Sequence, residues 1–255
     1  MIDVKDLKKA FGPITAVDGI SFSVNKGDVL GFLGPNGAGK STTMRILSCF
    51  LSPDEGTATV AGHDIIAEPV QARRKLGYLA ENAPAYDEMT CDSLLRFVCE
   101  AREMSPEDTE SAIESVAETC AISNVMFQPI GTLSKGYRRR LGLAQALVHD
   151  PPVLILDEPT DGLDPNQKHD VRELIKRLAA DKCIIISTHI LEEVDAICNR
   201  IIIISQGKII EDTTPNDLRK REGGNLDSIF RKLTTAPFVP DEQPSEKESA
   251  EGGEE

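Results

Sequence analysis

Apolar residues fall into two rhythms along the chain, and the change between them outlines the elements. Val171, Leu174, Ile175 and Leu178 recur at i, i+3, i+4 and i+7 behind Asp164-Pro165, which predicts a capped helix with one buried stripe. Ile113, Val116, Ala117 and Cys120 repeat the pattern behind Ser105-Pro106, and Leu94, Leu95 and Val98 follow Thr90, another capping residue. Between these helices lie short unbroken apolar runs, Val153–Leu156, Ile184–Ser187 and Ile201–Ile204. Runs this short and this apolar predict strands buried on both faces, hence a mostly parallel sheet covered by helices. A short helix is expected at Ile190–Ile197, and a hairpin should pair Ile201–Ile204 with Lys208–Ile210 around Gln206-Gly207.

The first fifty residues read differently. Ile2–Val4, Ser21–Val24 and Val29–Phe32 are strand-like and too closely spaced for helices between them, so an antiparallel β layer is expected there. A glycine-rich loop then runs into a helix at about Lys40–Cys49. Residues 83–149 are helical in character and read as a subdomain inserted into an α/β core.

Composition narrows the function classes. The net charge of −14 argues against direct nucleic-acid binding, which relies on neutralising phosphates. Seven acids and one lysine lie between Pro240 and Glu255, so six of those negative charges belong to a tail poor in apolar residues and expected to be disordered. The six cysteines are scattered without a C-x-x-C pair, the usage of reduced, mostly buried thiols. No apolar run approaches the ~20 residues of a membrane span, and the N-terminus lacks the blocks of a signal peptide. The expectation is a cytosolic protein whose membrane role, if any, comes through a partner. His63, His149 and His169 have no chemical context and read as surface residues.

The strongest chemical signal is Gly34-Pro35-Asn36-Gly37-Ala38-Gly39-Lys40-Ser41, followed by Thr42. It fits G-x-x-x-x-G-K-[ST] between a strand and a helix. The glycines let consecutive N–H groups wrap an anion at a helix N-terminus, Lys40 brings a charge to the β/γ-phosphates, and Ser41 offers a hydroxyl to Mg²⁺. A second signal is the apolar strand Val153–Leu156 ending in Asp157-Glu158. If the strand persists, alternation points these acids in opposite directions, so that Asp157 serves Mg²⁺ through water while Glu158 faces the attacking water. Two acids at a strand end are also a plain solubility feature; the upstream phosphate loop favours the chemical reading.

In order and spacing, these motifs resemble the ABC ATPase family over about residues 1–235, a P-loop core with a mostly parallel sheet, an N-terminal antiparallel layer and a helical subdomain. The resemblance supplies the remaining roles. Leu133-Ser134-Lys135-Gly136-Tyr137 is similar to the family signature LSGGQ, with Lys135 and Tyr137 as departures. The resemblance implies that Ser134 and Gly136 of one copy close over ATP on the phosphate loop of another, in a head-to-tail homodimer with two ATP. Glu81 stands where the family has its Q-loop glutamine, in a loop that senses the γ-phosphate, and keeps an oxygen for Mg²⁺ or water; a solvated loop acid is its plain alternative. Asp161-Gly162-Leu163-Asp164 resembles the loop that crosses the dimer interface, with Asp164 also a helix cap. His189 matches the family histidine that contacts the γ-phosphate, and Phe11 the aromatic that stacks on adenine, though Phe11 also suits core packing.

The resemblance therefore implies an ATPase using ATP and Mg²⁺, with Glu158, His189 and Lys40 catalytic and Ser41, Glu81 and Asp157 toward the metal. Tyr78–Pro84 and Leu226–Leu233 are similar to the exporter-type (ABC-2) branch, including gliding-motility transporters. That branch implies a separate transmembrane permease subunit and a place at the inner face of the membrane. A soluble ABC ATPase that remodels a non-membrane assembly is the competing reading.

Overall fold

A computed structural model describes residues 1–81 and 85–235. The acidic tail, Asn82-Ala83-Pro84 and the expected start of the helical segment lie outside the described residues. Strands β1 (Ile2–Phe11) and β2 (Ile14–Val24) form a long antiparallel pair, extended by β4 (Glu55–Val60) and β5 (His63–Asp64) into the order β2-β1-β4-β5. The second sheet has six strands: β3 (Val29–Leu33), β6 (Leu76–Leu79), β7 (Val153–Asp157), β8 (Cys183–Thr188), β9 (Arg200–Ser205) and β10 (Lys208–Thr213). Their order is β10-β9-β3-β8-β7-β6, parallel except for the β9–β10 hairpin. Gln206 and Gly207 both take positive φ at its turn, 49° and 79°, which a two-residue turn of this kind requires.

One expectation is corrected here. Val29–Leu33 lies outside the antiparallel layer; all five residues are buried at the centre of the parallel sheet, between β8 and β9. A central strand is apolar on both faces, and its partners lie far along the chain, so proximity to the first strands is a poor guide to pairing.

The buried strands divide their side chains by alternation. Leu154, Leu156, Ile184 and Ile186 join the core beneath the helices, with Leu94, Ile113, Leu141 and Leu174. Val153, Ile155, Cys183 and Ile185 face the opposite core, with Ile2, Phe22, Val60, Met44 and Phe32. The helices are α1 (Lys40–Leu47), α2 (Pro69–Arg74), α3 (Cys91–Ala101), α4 (Pro106–Thr119), α5 (Lys135–Leu147), α6 (Pro165–Ala179), α7 (Leu191–Ile197), α8 (Pro215–Glu222) and α9 (Leu226–Thr235). Thr90, Ser105 and Asp164 cap α3, α4 and α6 through side-chain oxygens, as their sequence positions predict. The C-terminal ends of β3, β7 and β8 converge on one edge, the usual location of ligand clefts in such sheets.

His149 is a second correction. Its Nε2 lies 3.1 Å from the Leu76 carbonyl, and burial pushes its pKa down to about 4. It is a half-buried connector between α5 and β6, whereas His169 is exposed and His63 pairs with Glu68 at 3.5 Å.

Candidate nucleotide site

The loop from β3 to α1 is shaped by close approach of its own backbone. A Cβ on Gly34 would stand 2.4 Å from the Ile204 carbonyl oxygen, and one on Gly39, at φ 107°, would stand 2.3 Å from that of Ala16. Neither position admits a side chain. Gly39 caps α1 without a side-chain hydrogen bond, so the N–H groups of the first turn are left for a ligand. Lys40 folds back over the loop, its Nζ donating to Gly34 O at 2.6 Å and Pro35 O at 3.1 Å. Burial lowers its pKa, against the pull of Glu158, Asp157 and Glu81. Ala38 N donates to Pro35 O, and the Thr43 hydroxyl to Gly39 O at 2.9 Å, a stitch that sequence reasoning missed.

This loop floors a cleft of about 660 Å³. Phe11, Asn36, Gly37, Gly39, Lys40, Ser41, Thr42, Glu81, Asp157, Glu158 and His189 all line it, although they come from separate parts of the chain. Ile14, Ala16, Asp161 and Ser187 complete the wall. Phe11 is 49% exposed, which excludes the core-packing reading and leaves a ring face for a flat partner.

Asp157 is the last residue of β7, and its side chain is nearly buried. Burial pushes its carboxyl upward; Ser187 and Arg139 oppose that shift, while Glu158 and Glu81 add to it. Glu158 does not continue the strand. Its φ is 51°, so its direction is set by a turn and not by strand alternation. Its Oε1 lies 2.8 Å from His189 Nδ1, and Thr188 Oγ1 donates to its Oε2 at 3.2 Å. Thr188 also faces Glu193 Oε2 at 3.3 Å. The one Thr188 hydroxyl proton serves one of these two acceptors at a time; burial raises the pKa of Glu193, while Lys168 and Arg172 oppose that rise. The Thr160 hydroxyl donates to the other oxygen of Glu193, and Lys168 lies 3.9 Å away. Glu193 was hidden in the sequence because it sits on the inward face of a short helix, beside an exposed Glu192 from which no local pattern distinguishes it.

Ser134 and Gly136 do not line this cleft. Ser134 caps α5, accepting from Tyr137 N at 3.3 Å, and Gly136 is buried against the side chain of Gln167. The Tyr137 hydroxyl accepts from Asn124 Nδ2 at 2.9 Å, so it is turned into its own helical layer. Asp164 accepts from Asn166 N and Gln167 N at 2.9 and 3.0 Å, a helix cap.

Whether the chain fits Mg²⁺ is a question of donor type. Among the described residues no cluster of three acids, histidines or cysteines forms a self-sufficient metal site. What the cleft does offer is hard oxygen: the exposed Ser41 hydroxyl, the Asp157 and Glu81 carboxylates, and Ser187 Oγ, buried without a well-formed hydrogen bond. That set suits a hydrated ion shared with phosphate oxygens.

Comparison with known proteins agrees with the geometry. A family model described as ABC transporter matches residues 17–161. The linearmycin resistance ATP-binding protein LnrL of Bacillus subtilis is 37% identical over 226 residues, 88% of this chain and 73% of that protein. The Nod factor export ATP-binding protein I of Burkholderia lata is 37% identical over 228 residues, 88% and 74% of the two chains. A solved ATP-binding subunit of an ABC transporter superposes with TM-score 0.84 at 27% identity, covering 91% of this chain and 99% of the other. A dimeric ATP-binding cassette bound to ADP and phosphate has TM-score 0.77 at 22% identity over 84% and 98%, a likeness of fold. With a phosphate-binding loop, an acidic strand end and a histidine gathered on one cleft, and with these relatives, the chain belongs to the ABC transporter family as an ATP-binding subunit and ATPase.

Proposed function

We propose that residues 1–235, with a helical subdomain at about 83–149, are one motor unit that hydrolyses ATP at this cleft to drive a separate membrane subunit. The observation that carries the hydrolytic part is the Glu158–His189 pair at 2.8 Å, on the same cleft as Lys40 and Ser41. The N–H groups left free within the Gly34–Thr42 loop bind the phosphates, and Phe11 takes the adenine face. Lys40 releases its two carbonyl contacts and places its charge on the β/γ-phosphates. Glu158 polarises the attacking water, and His189 fixes the carboxylate and meets the γ-phosphate, giving ADP and phosphate. When bound by Ser41, by Asp157 through water and by Glu81, Mg²⁺ supplies positive charge against the phosphate oxygens.

The position of Ser134 and Gly136 away from their own cleft supports a head-to-tail homodimer, in which each copy presents the N-terminus of α5 to the other's ATP. An apolar groove supports the membrane partner. Phe50, 78% exposed, makes a tilted ring contact with Tyr78, centroids 6.4 Å apart, beside Leu76, Val98 and Ala146. Ala80 lines the same groove and immediately precedes Glu81 of the nucleotide cleft. No helix among the described residues is long and apolar enough to cross a membrane. The relatives named for linearmycin resistance and Nod factor export support the reading of an exporter whose motor works at the inner face of the membrane. Sedimentation of the Glu158→Gln variant tests the dimer: Mg²⁺ and ATP should convert monomer to dimer, and a monomer at saturating ATP contradicts it.

A further inference from the structure

Arg139 lies in α5, five residues beyond Ser134, and is nearly buried. A guanidinium has five N–H donors. Here all five meet main-chain carbonyls. Nε donates to Pro159 O at 3.3 Å, and Nη1 to Ala80 O and Glu81 O at 2.8 and 2.9 Å. Nη2 donates to Asp157 O and Glu158 O.

The pairing of these acceptors is the informative part. In an extended strand, successive carbonyls point to opposite sides and no single nitrogen reaches both. Asp157 O and Glu158 O flank the Cα of Glu158, so one nitrogen bridging them requires the chain to turn there. Glu158 has φ 51°, the left-handed region that a side chain seldom occupies without support. Nη1 bridges the carbonyls flanking Glu81 in the same way. Glu81 and Glu158 both line the nucleotide cleft. One planar fork therefore sets the backbone beneath two acids of the site and ties both to the helix that begins at Ser134.

We propose that Arg139 is a positioning residue for hydrolysis: it aims Glu158 and Glu81 into the cleft by bridging the carbonyls on either side of each. Arg139 touches none of the reacting atoms itself. The inference rests on the hydrolytic role of Glu158 given above.

The test compares Arg139→Lys and Arg139→Gln with the full parent chain. Lysine keeps the charge but has one nitrogen in place of a rigid fork, and so cannot bridge both pairs. Each folded variant should lose about 10²-fold in kcat, while the Kd for ATP measured calorimetrically stays within about threefold of the parent. Combined with Glu158→Gln, Arg139→Lys should add almost nothing to the loss of turnover, because the two residues act as a unit. A purely structural arginine would lower stability and ATP affinity together and would add its loss to that of Glu158→Gln. Turnover within about threefold of the parent in a folded variant overturns the proposal. So does a fall in ATP affinity that matches the fall in kcat, and so does failure of both variants to fold. A parent that binds ATP but does not hydrolyse it overturns the reading of Glu158 as well, which separates the two failures.

Discussion

The Oε1 oxygen of Glu158 lies 2.8 Å from Nδ1 of His189, joining the end of β7 to the end of β8 across the nucleotide cleft. Glu158 is mostly covered and His189 is more than half exposed, so the pair spans from the protein interior to the open cleft. Thr188 and Glu193 continue the chain of contacts inward. A carboxylate held from two sides is pre-aimed, which is what activation of a water requires.

Lys40 already commits two of its three donors to Gly34 O and Pro35 O, so it helps shape the loop in addition to the phosphate contact proposed for it. Lys40→Ala should weaken ATP binding by about 2 kcal/mol, roughly thirtyfold in Kd. Calorimetric titration with ATP and Mg²⁺ checks it; an unchanged Kd would remove the lysine from the site.

Ser134 and Thr90 make the same type of cap, on α5 and α3. Alanine at either position should cost about 1 kcal/mol of stability. Only Ser134→Ala should also reduce ATPase activity, because Thr90 has no part in the dimer interface proposed here. Parallel melts and rate measurements separate capping from function, and equal rates for both variants would confine Ser134 to its capping role.

The pH dependence of stability carries a mark of His149. Burial holds its folded-state pKa at about 4, below the unfolded value near 6.5. The unfolded chain therefore binds the proton more readily, and stability is complete above about pH 6.5 and lost as pH falls toward 4. The contribution reaches about 3 kcal/mol at most. His149→Gln should flatten the denaturation free energy between those two pH values relative to the parent, and parallel curves would show that another group is responsible.

Phe50 lies outside the nucleotide cleft and in the apolar groove. Phe50→Asp should leave ATP binding and basal turnover as in the parent while abolishing copurification with membranes. Undiminished membrane association would exclude this groove as the docking face.

Much of the site is legible in the sequence because its parts are local. Gly34–Ser41 encodes a turn and a helix start within eight residues, and Asp157-Glu158 follows a run whose length and apolarity mark a strand. Phe11, Glu81 and His189 were found through the resemblance, and the fold brings them to the same cleft. What could not be read depends on contacts between distant segments. Val29 pairs with Ile184, which no local pattern specifies. The turn at Glu158, the covered Glu193 and the five carbonyls around Arg139 arise only when β6, β7, β8 and α5 are packed together. Arg138, Arg139 and Arg140 look alike in sequence, yet only the middle one is buried, behind the cleft lining; its neighbours pair with Asp87 and Asp170. Helical geometry turns adjacent side chains by about 100°, so one of three consecutive arginines faces inward.

The most direct test of the account is turnover and ATP binding measured side by side in the Glu158→Gln variant. Glutamine keeps the shape and one hydrogen-bonding oxygen but removes the negative charge proposed to polarise water. The account predicts ATP affinity within about threefold of the parent and a fall in kcat of about 10²–10³-fold. Hydrolysis at the parent rate with ATP affinity intact would contradict it.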